Sequence, residues 1–171
     1  MRSLISAGTC ALGLAVLALA GCGGGSSSPA AQTVRGDSFA YQAPGDWQIS
    51  RRDTEVAASP KPGSPERVSV AVFPLLRSYD PKLFAAVTKE LDSSAAQEAK
   101  ELKGTVTSRA TTTVAGSSVR QYVITVPKSV QLQITYFLRR KTEFELLCQW
   151  QSGKSEPGYC KQLKSTFRPA L

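Results

Sequence analysis

The chain has 171 residues with an ordinary hydrophobic fraction of 42%, so one domain around one core is expected. Its 21 Lys and Arg outnumber 13 Asp and Glu, a net charge of +8 that suits anionic lipid or wall polymer and equally suits a basic surface with no specific partner. There is no His and no Asn, which excludes Ser-His-Asp triads, Cys-His pairs, imidazole zinc sites and Asn-X-Ser/Thr glycosylation.

Residues 1–21 have the layout of a secretory signal peptide: Arg2 is the one charge, Ala11 to Ala20 is apolar, and small residues precede Cys22. The run is too short for a spanning helix. Leu19-Ala20-Gly21-Cys22 resembles the lipobox of bacterial lipoproteins. The resemblance implies that Cys22 becomes a diacylglyceryl cysteine carrying further acylation such as palmitate, and that cleavage leaves it first. Several chains on one thiol meet the requirement for durable membrane attachment. The alternative is an ordinary secretory signal cut near Ala20, with Cys22 a bystander. Loss of Arg2 lowers the charge by one, from +8 to +7. Residues 22–33, rich in Gly, Ser, Pro and Ala, form a flexible tether with a reach under about 20 Å. The expected location is the outer, extracytoplasmic face of the cell membrane, or an outer membrane if the source has one. A membrane-borne or wall-bound partner is then expected, and nucleic acid is not.

A single domain follows from 34 to 171. Ser38 to Gln42 and Trp47 to Arg51 alternate around Pro44-Gly45-Asp46, which predicts a β-hairpin. Ala57 to Glu66, with Pro60, Pro62 and Pro65, predicts a loop, and Arg67 to Phe73 predicts a third strand. Asp80-Pro81 is a helix start. Leu83, Phe84, Val87 and Leu91, continued by Ala95, Ala96 and Ala99, predict one long helix that stops at Gly104. Four strands are expected next, Thr105 to Val114, Val119 to Val126, Val130 to Arg139 and Thr142 to Trp150, with a turn at Arg140-Lys141. Connections this short make neighbours antiparallel. Ser155 to Phe167 predicts a terminal helix whose Cys160, Leu163 and Phe167 face inward.

The pattern is therefore α+β, an antiparallel β-sheet of about six to seven strands with a long helix and a C-terminal helix packed on it. Cys10 leaves with the signal and Cys22 is lipidated, so Cys148 and Cys160 remain, and outside the membrane such a pair is most simply a disulfide. The element order, with Phe39-Ala40-Tyr41-Gln42-Ala43-Pro44-Gly45-Asp46-Trp47 and Cys160 to Phe167, resembles the PsbP-like fold. That likeness implies a sheet between two helices and an accessory or protein-binding role without catalysis.

Glu143 and Glu145 share one strand face, the start of an acid/base pair, but two carboxylates pointing in parallel leave no gap for a substrate. Arg109, Arg120 and Arg139 lie on neighbouring strands and form a candidate surface binding patch, with a satisfied ion-pair network as the alternative. Trp47 and Trp150 read as sheet-core aromatics or as pocket walls. No catalytic residue, metal ligand or cofactor is indicated. The expected function is that of a membrane-anchored, non-catalytic binding or accessory module for a protein or cell-envelope component. The alternative is a carrier or sensor of a small apolar ligand between sheet and helix, lined by Phe84, Val87, Tyr136 and Trp150. A hydrolase using carboxylates and Lys is the third class, which would need Glu143 and Glu145 facing across an open cleft.

Overall fold

The computed structural model describes residues 30–127 and 130–170. Among these residues, nine strands and two α-helices make an α+β fold. The strands are β1 (Gln32–Arg35), β2 (Phe39–Ala43), β3 (Gln48–Arg51), β4 (Glu55–Ser59), β5 (Arg67–Tyr79), β6 (Thr105–Val114), β7 (Ser117–Val126), β8 (Val130–Gln151) and β9 (Arg168–Pro169). The helices are α1 (Phe84–Glu101) and α2 (Gly158–Thr166). Six strands form the larger sheet in the order β3-β4-β5-β8-β7-β6, and β1-β2-β9 form a smaller one. All the pairings are antiparallel.

Local signals place the long helix well. Asp80 accepts a hydrogen bond from the Lys82 amide at 3.0 Å, and a 3-10 turn over Pro81–Leu83 leads into α1. At the other end the chain closes in a Schellman arrangement: the Gly104 amide donates to Ala99 O at 2.7 Å and the Lys103 amide to Lys100 O at 3.0 Å. The left-handed residue there is Lys103, with φ 54°. Gly104 serves a different need, because a Cβ at that position would lie 2.7 Å from the Thr125 carbonyl oxygen.

Two cores lie on opposite faces of the larger sheet. On one, Leu91, Ala95 and Ala99 of α1 pack on Tyr122, Ile124, Leu132, Ile134 and Tyr136. On the other, α2 and the smaller sheet cover Val68, Val70, Phe144, Leu146 and Trp150. Phe39, Phe137, Phe144 and Phe167 meet there with ring centroids 5.3–6.4 Å apart. Each such fully buried side chain contributes roughly 1.5–3 kcal/mol. The Cys148–Cys160 disulfide, Cα atoms 5.5 Å apart, fastens α2 to β8 within this core.

Four expectations are corrected. Pro44-Gly45-Asp46 does turn, with the Trp47 amide donating to Pro44 O at 3.2 Å, but β2 and β3 belong to different sheets. Phe39, Tyr41 and Ala43 are drawn into the α2-side core, while all of β3 is exposed at an edge beside β4. Ala57 to Ser59 are strand, not loop, because Val56, Ala57 and Ala58 are buried; the Pro-rich loop begins at Pro60. β5 runs on to Tyr79.

The fourth correction is β8, which has no turn at Arg140-Lys141 and runs unbroken through it. Arg140 takes φ 52°, a left-handed bulge residue. One inserted residue exchanges the two faces of a strand. Leu132, Ile134 and Tyr136 therefore face α1, whereas Phe144, Leu146, Cys148 and Trp150, also even-numbered, face α2.

Candidate functional site

The bulge decides what the larger sheet displays on its α1 side. The contacts of α1 run to β6, β7 and the first half of β8. Among the described residues no helix covers the rest of that face, built from β3, β4, β5 and the second half of β8. Glu143 and Glu145 are turned onto it, paired in register with Phe73 and Ala71, and Glu55 lies across from Ala71 on β4. Glu98 of α1 stands at the border and accepts a hydrogen bond from the Tyr136 hydroxyl at 3.2 Å. Glu55 pairs with Arg67 at 2.5 Å. A half-buried acidic patch thus sits in an otherwise basic molecule.

Its electrostatics follow from that crowding. Burial, then the charges of Glu98, Glu143 and Glu55, push the Glu145 carboxyl up to about 7. Burial also raises Glu143 and Glu98, the latter against the opposing Tyr136 hydrogen bond. The Tyr136 phenol is pushed far upward by burial and by Glu98, so it stays a donor. Near neutrality Glu145 therefore exists both as acid and as carboxylate, able to donate or accept. Glu143 and Glu145 project side by side from one strand, about 7 Å apart by strand geometry, and do not face each other across a cleft. Among the described residues no three Cys, Asp or Glu side chains come close enough to hold a metal.

Two of the three candidate arginines, Arg109 and Arg120, gather about Asp92, and the third does not join them. Arg120 is clamped by Asp92 of α1, its Nε 3.1 Å from Oδ1 and its Nη2 3.0 Å from the same oxygen. Tyr122 donates its hydroxyl to Asp92 at 2.6 Å, and the guanidinium lies 5.6 Å from the Tyr122 ring centroid. That hydrogen bond, followed by those from Arg120, holds the Asp92 carboxyl below its usual range. Arg109 sits opposite Tyr122 in the β6–β7 ladder and adds to the lowering. Arg139 lies apart, lining a cleft of about 800 Å³ with Tyr79, Phe84 and Arg140.

The aromatic candidates are dispersed. Trp47 and Trp150 are core residues, and the Trp150 indole donates to Lys154 O at 3.2 Å. Trp150 and Tyr136 lie on opposite faces of the sheet. Phe84 lines the cleft beside Arg139, and Val87 lines another, so these four share no cavity. Cys22 and residues 22–29 of the tether lie outside the described residues. Gln32 and Thr33, assigned to the tether, are already in β1, and the Gln32 side-chain amide donates to Pro44 O at 2.8 Å and Trp47 O at 2.6 Å.

Asp92 and Glu98 went unnoticed in the sequence because they flank the apolar stripe of α1, where a charge normally reads as solvated. The one available signal was spacing: each follows a buried position of the stripe by one or three residues, which places it at the border with the sheet.

An antiparallel sheet with one helix packed on each face, flanked by a small second sheet, is a PsbP-like fold. The chain is similar to the solution structure of cyanobacterial PsbP (CyanoP) from Synechocystis sp. PCC 6803, with a TM-score of 0.60 and 11% identity over 88% of this chain and 98% of that one. It is also similar to a crystal structure from Bacteroides thetaiotaomicron VPI-5482, with a TM-score of 0.58 and 11% identity over 84% of this chain. That match spans about half, 49%, of the Bacteroides chain. At this identity the likeness concerns fold alone. No protein-family model matches the chain, and no curated protein matches it.

Proposed function

We propose that this chain is a lipid-anchored extracytoplasmic domain that works by binding, as an accessory module for a protein or cell-envelope component. The observation that carries this reading is Leu19-Ala20-Gly21-Cys22 followed directly by a Gly/Ser tether and a single domain. A tether raises the effective concentration of any membrane-borne partner, so modest intrinsic affinity suffices. The acidic half-face is the surface offered to that partner. Its carboxylates stand in a row on one strand face and not across a cleft, an arrangement suited to docking a partner.

The anchor is tested by feeding labelled palmitate to a bacterial host that expresses the full chain. Label on the wild-type chain and none on Cys22→Ala is the expected result; an unmodified Cys22 in the mature protein removes the anchor. The docking face is tested by photo-crosslinking on intact cells. Glu143→Lys with Glu145→Lys should abolish the adducts formed by the wild-type chain, and unchanged adducts would place the partner elsewhere.

A further inference from the structure

The end of the sheet where β5 meets α1 has an unusual surface. Between Pro74 and Tyr79 four residues of β5, Leu75 to Ser78, stand against the single residue Lys141 of β8, so the surplus chain protrudes. Leu76 on this protrusion is fully exposed (101%), Leu83 on the 3-10 turn is 54% exposed, and Phe73 at the foot is 40% exposed. Leu76 and Leu83 flank an open cleft of about 700 Å³ that also takes in Leu75 and Val87. Grouped apolar exposure of this kind marks an interaction surface.

The rim of this patch is cationic. Arg77, Lys82, Arg140 and Lys141 are exposed, and strand pairing of Tyr79 with Arg140 and of Pro74 with Thr142 brings the β8 pair beside the protrusion. None of these four is in an ion pair among the described residues. The nearby acids are Asp80, which caps the Lys82 amide, and Glu90 and Glu143 on the wall of the cleft.

We propose that this end of the domain is a second membrane contact, in which Leu76 and Leu83 enter the interfacial layer of an anionic bilayer while Arg77, Lys82, Arg140 and Lys141 lie among the headgroup phosphates. Leu76 projects from the rim of this cleft, and a bilayer yields to a protruding leucine without a matching pocket. Charge complementarity selects anionic lipid, because each basic residue near such a surface adds to the attraction. The contact also sets an orientation. The chain enters the domain at Gln32, bonded beside Trp47 near the Arg67 end of β5, and Leu76 lies nine residues along that strand, about 30 Å away. The ten residues 22–31 span at most about 33–36 Å when extended, enough for an anchor at Cys22 and the Leu76 end of the domain to reach one bilayer.

The proposal rests on the domain working at a membrane but not on the lipid at Cys22, and the experiment removes the anchor. Among the described residues both cores and the disulfide lie between Val34 and Phe167, so the chain from Ala30 to Leu171 carries every element described above. That chain is sedimented with vesicles of phosphatidylcholine alone and of phosphatidylcholine containing phosphatidylglycerol. Binding is expected to the anionic vesicles and to fall with added salt. Leu76→Glu should weaken it at least about tenfold, and Arg77→Gln or Lys141→Gln about fivefold each. All three variants should unfold at the wild-type temperature, since the side chains replaced are exposed. Equal binding to both vesicle types, or binding that survives Leu76→Glu, overturns the proposal. So does an absence of vesicle binding, which would hand the protrusion to a protein pocket. Palmitate labelling of the full chain reports on the anchor whichever way the vesicles decide.

Discussion

Glu145 is the residue whose surroundings alter its chemistry most. Its folded carboxyl is raised to about 7, so the stability it contributes is complete below its ordinary value near 4.5 and is lost as pH rises through 7. Glu143 and Glu98 are shifted the same way, and there is no His to titrate over that span. The chain should resist urea better at about pH 5 than at about pH 8, and Glu145→Gln should remove most of a difference on the order of 2–3 kcal/mol. A variant with the wild-type pH slope would place Glu145 in open solvent. Asp92 has the opposite character. Its carboxylate satisfies the buried Tyr122 hydroxyl and Arg120 together, so Asp92→Ala should cost about 2 kcal/mol in urea unfolding, and clearly less in a Tyr122→Phe background.

At the scale of elements, the end of α1 separates two uses of glycine. Lys103 occupies the left-handed position, so Lys103→Gly should stabilise the chain by about 0.5–1 kcal/mol. Gly104→Ala should destabilise it, because the new methyl meets the Thr125 carbonyl. Both shifts are readable by thermal unfolding, and a destabilising Lys103→Gly would mean that Lys103 is held by its side chain. The start of α1 is legible because Asp80 and Pro81 act within one turn of themselves. The bulge in β8 is not, since Arg140-Lys141 looks the same whether the chain reverses or steps once out of register. Deleting Arg140 should drive Glu143 and Glu145 into the α2-side core and prevent folding, as judged by loss of the cooperative transition.

For the whole molecule, the disulfide is the long-range tie that holds α2 on the sheet. Closing a loop with a separation of 12 residues contributes about 3 kcal/mol in the chain-entropy account. Cys160→Ser should therefore lower the unfolding temperature by about 10 °C, and a shift of a degree or two would show that packing of Leu163 and Phe167 alone holds the helix. The same packing leaves part of one sheet face without a helix among the described residues, because the contacts of α1 run to β6, β7 and the first half of β8.

The α+β class, the long helix and the cysteine pair are legible from the chain alone, since each depends on neighbours within a few residues or on counting. The separation of β2 from β3 into two sheets, the reversal of faces along β8, the clamping of Arg120 by Asp92 and the exposure of Leu76 were decided only by tertiary packing. A strand's hydrogen-bond partner and the side it turns to the core are choices among distant segments. They are settled by which arrangement buries Phe39, Tyr41, Phe144 and Phe167 together, and no local pattern encodes that outcome.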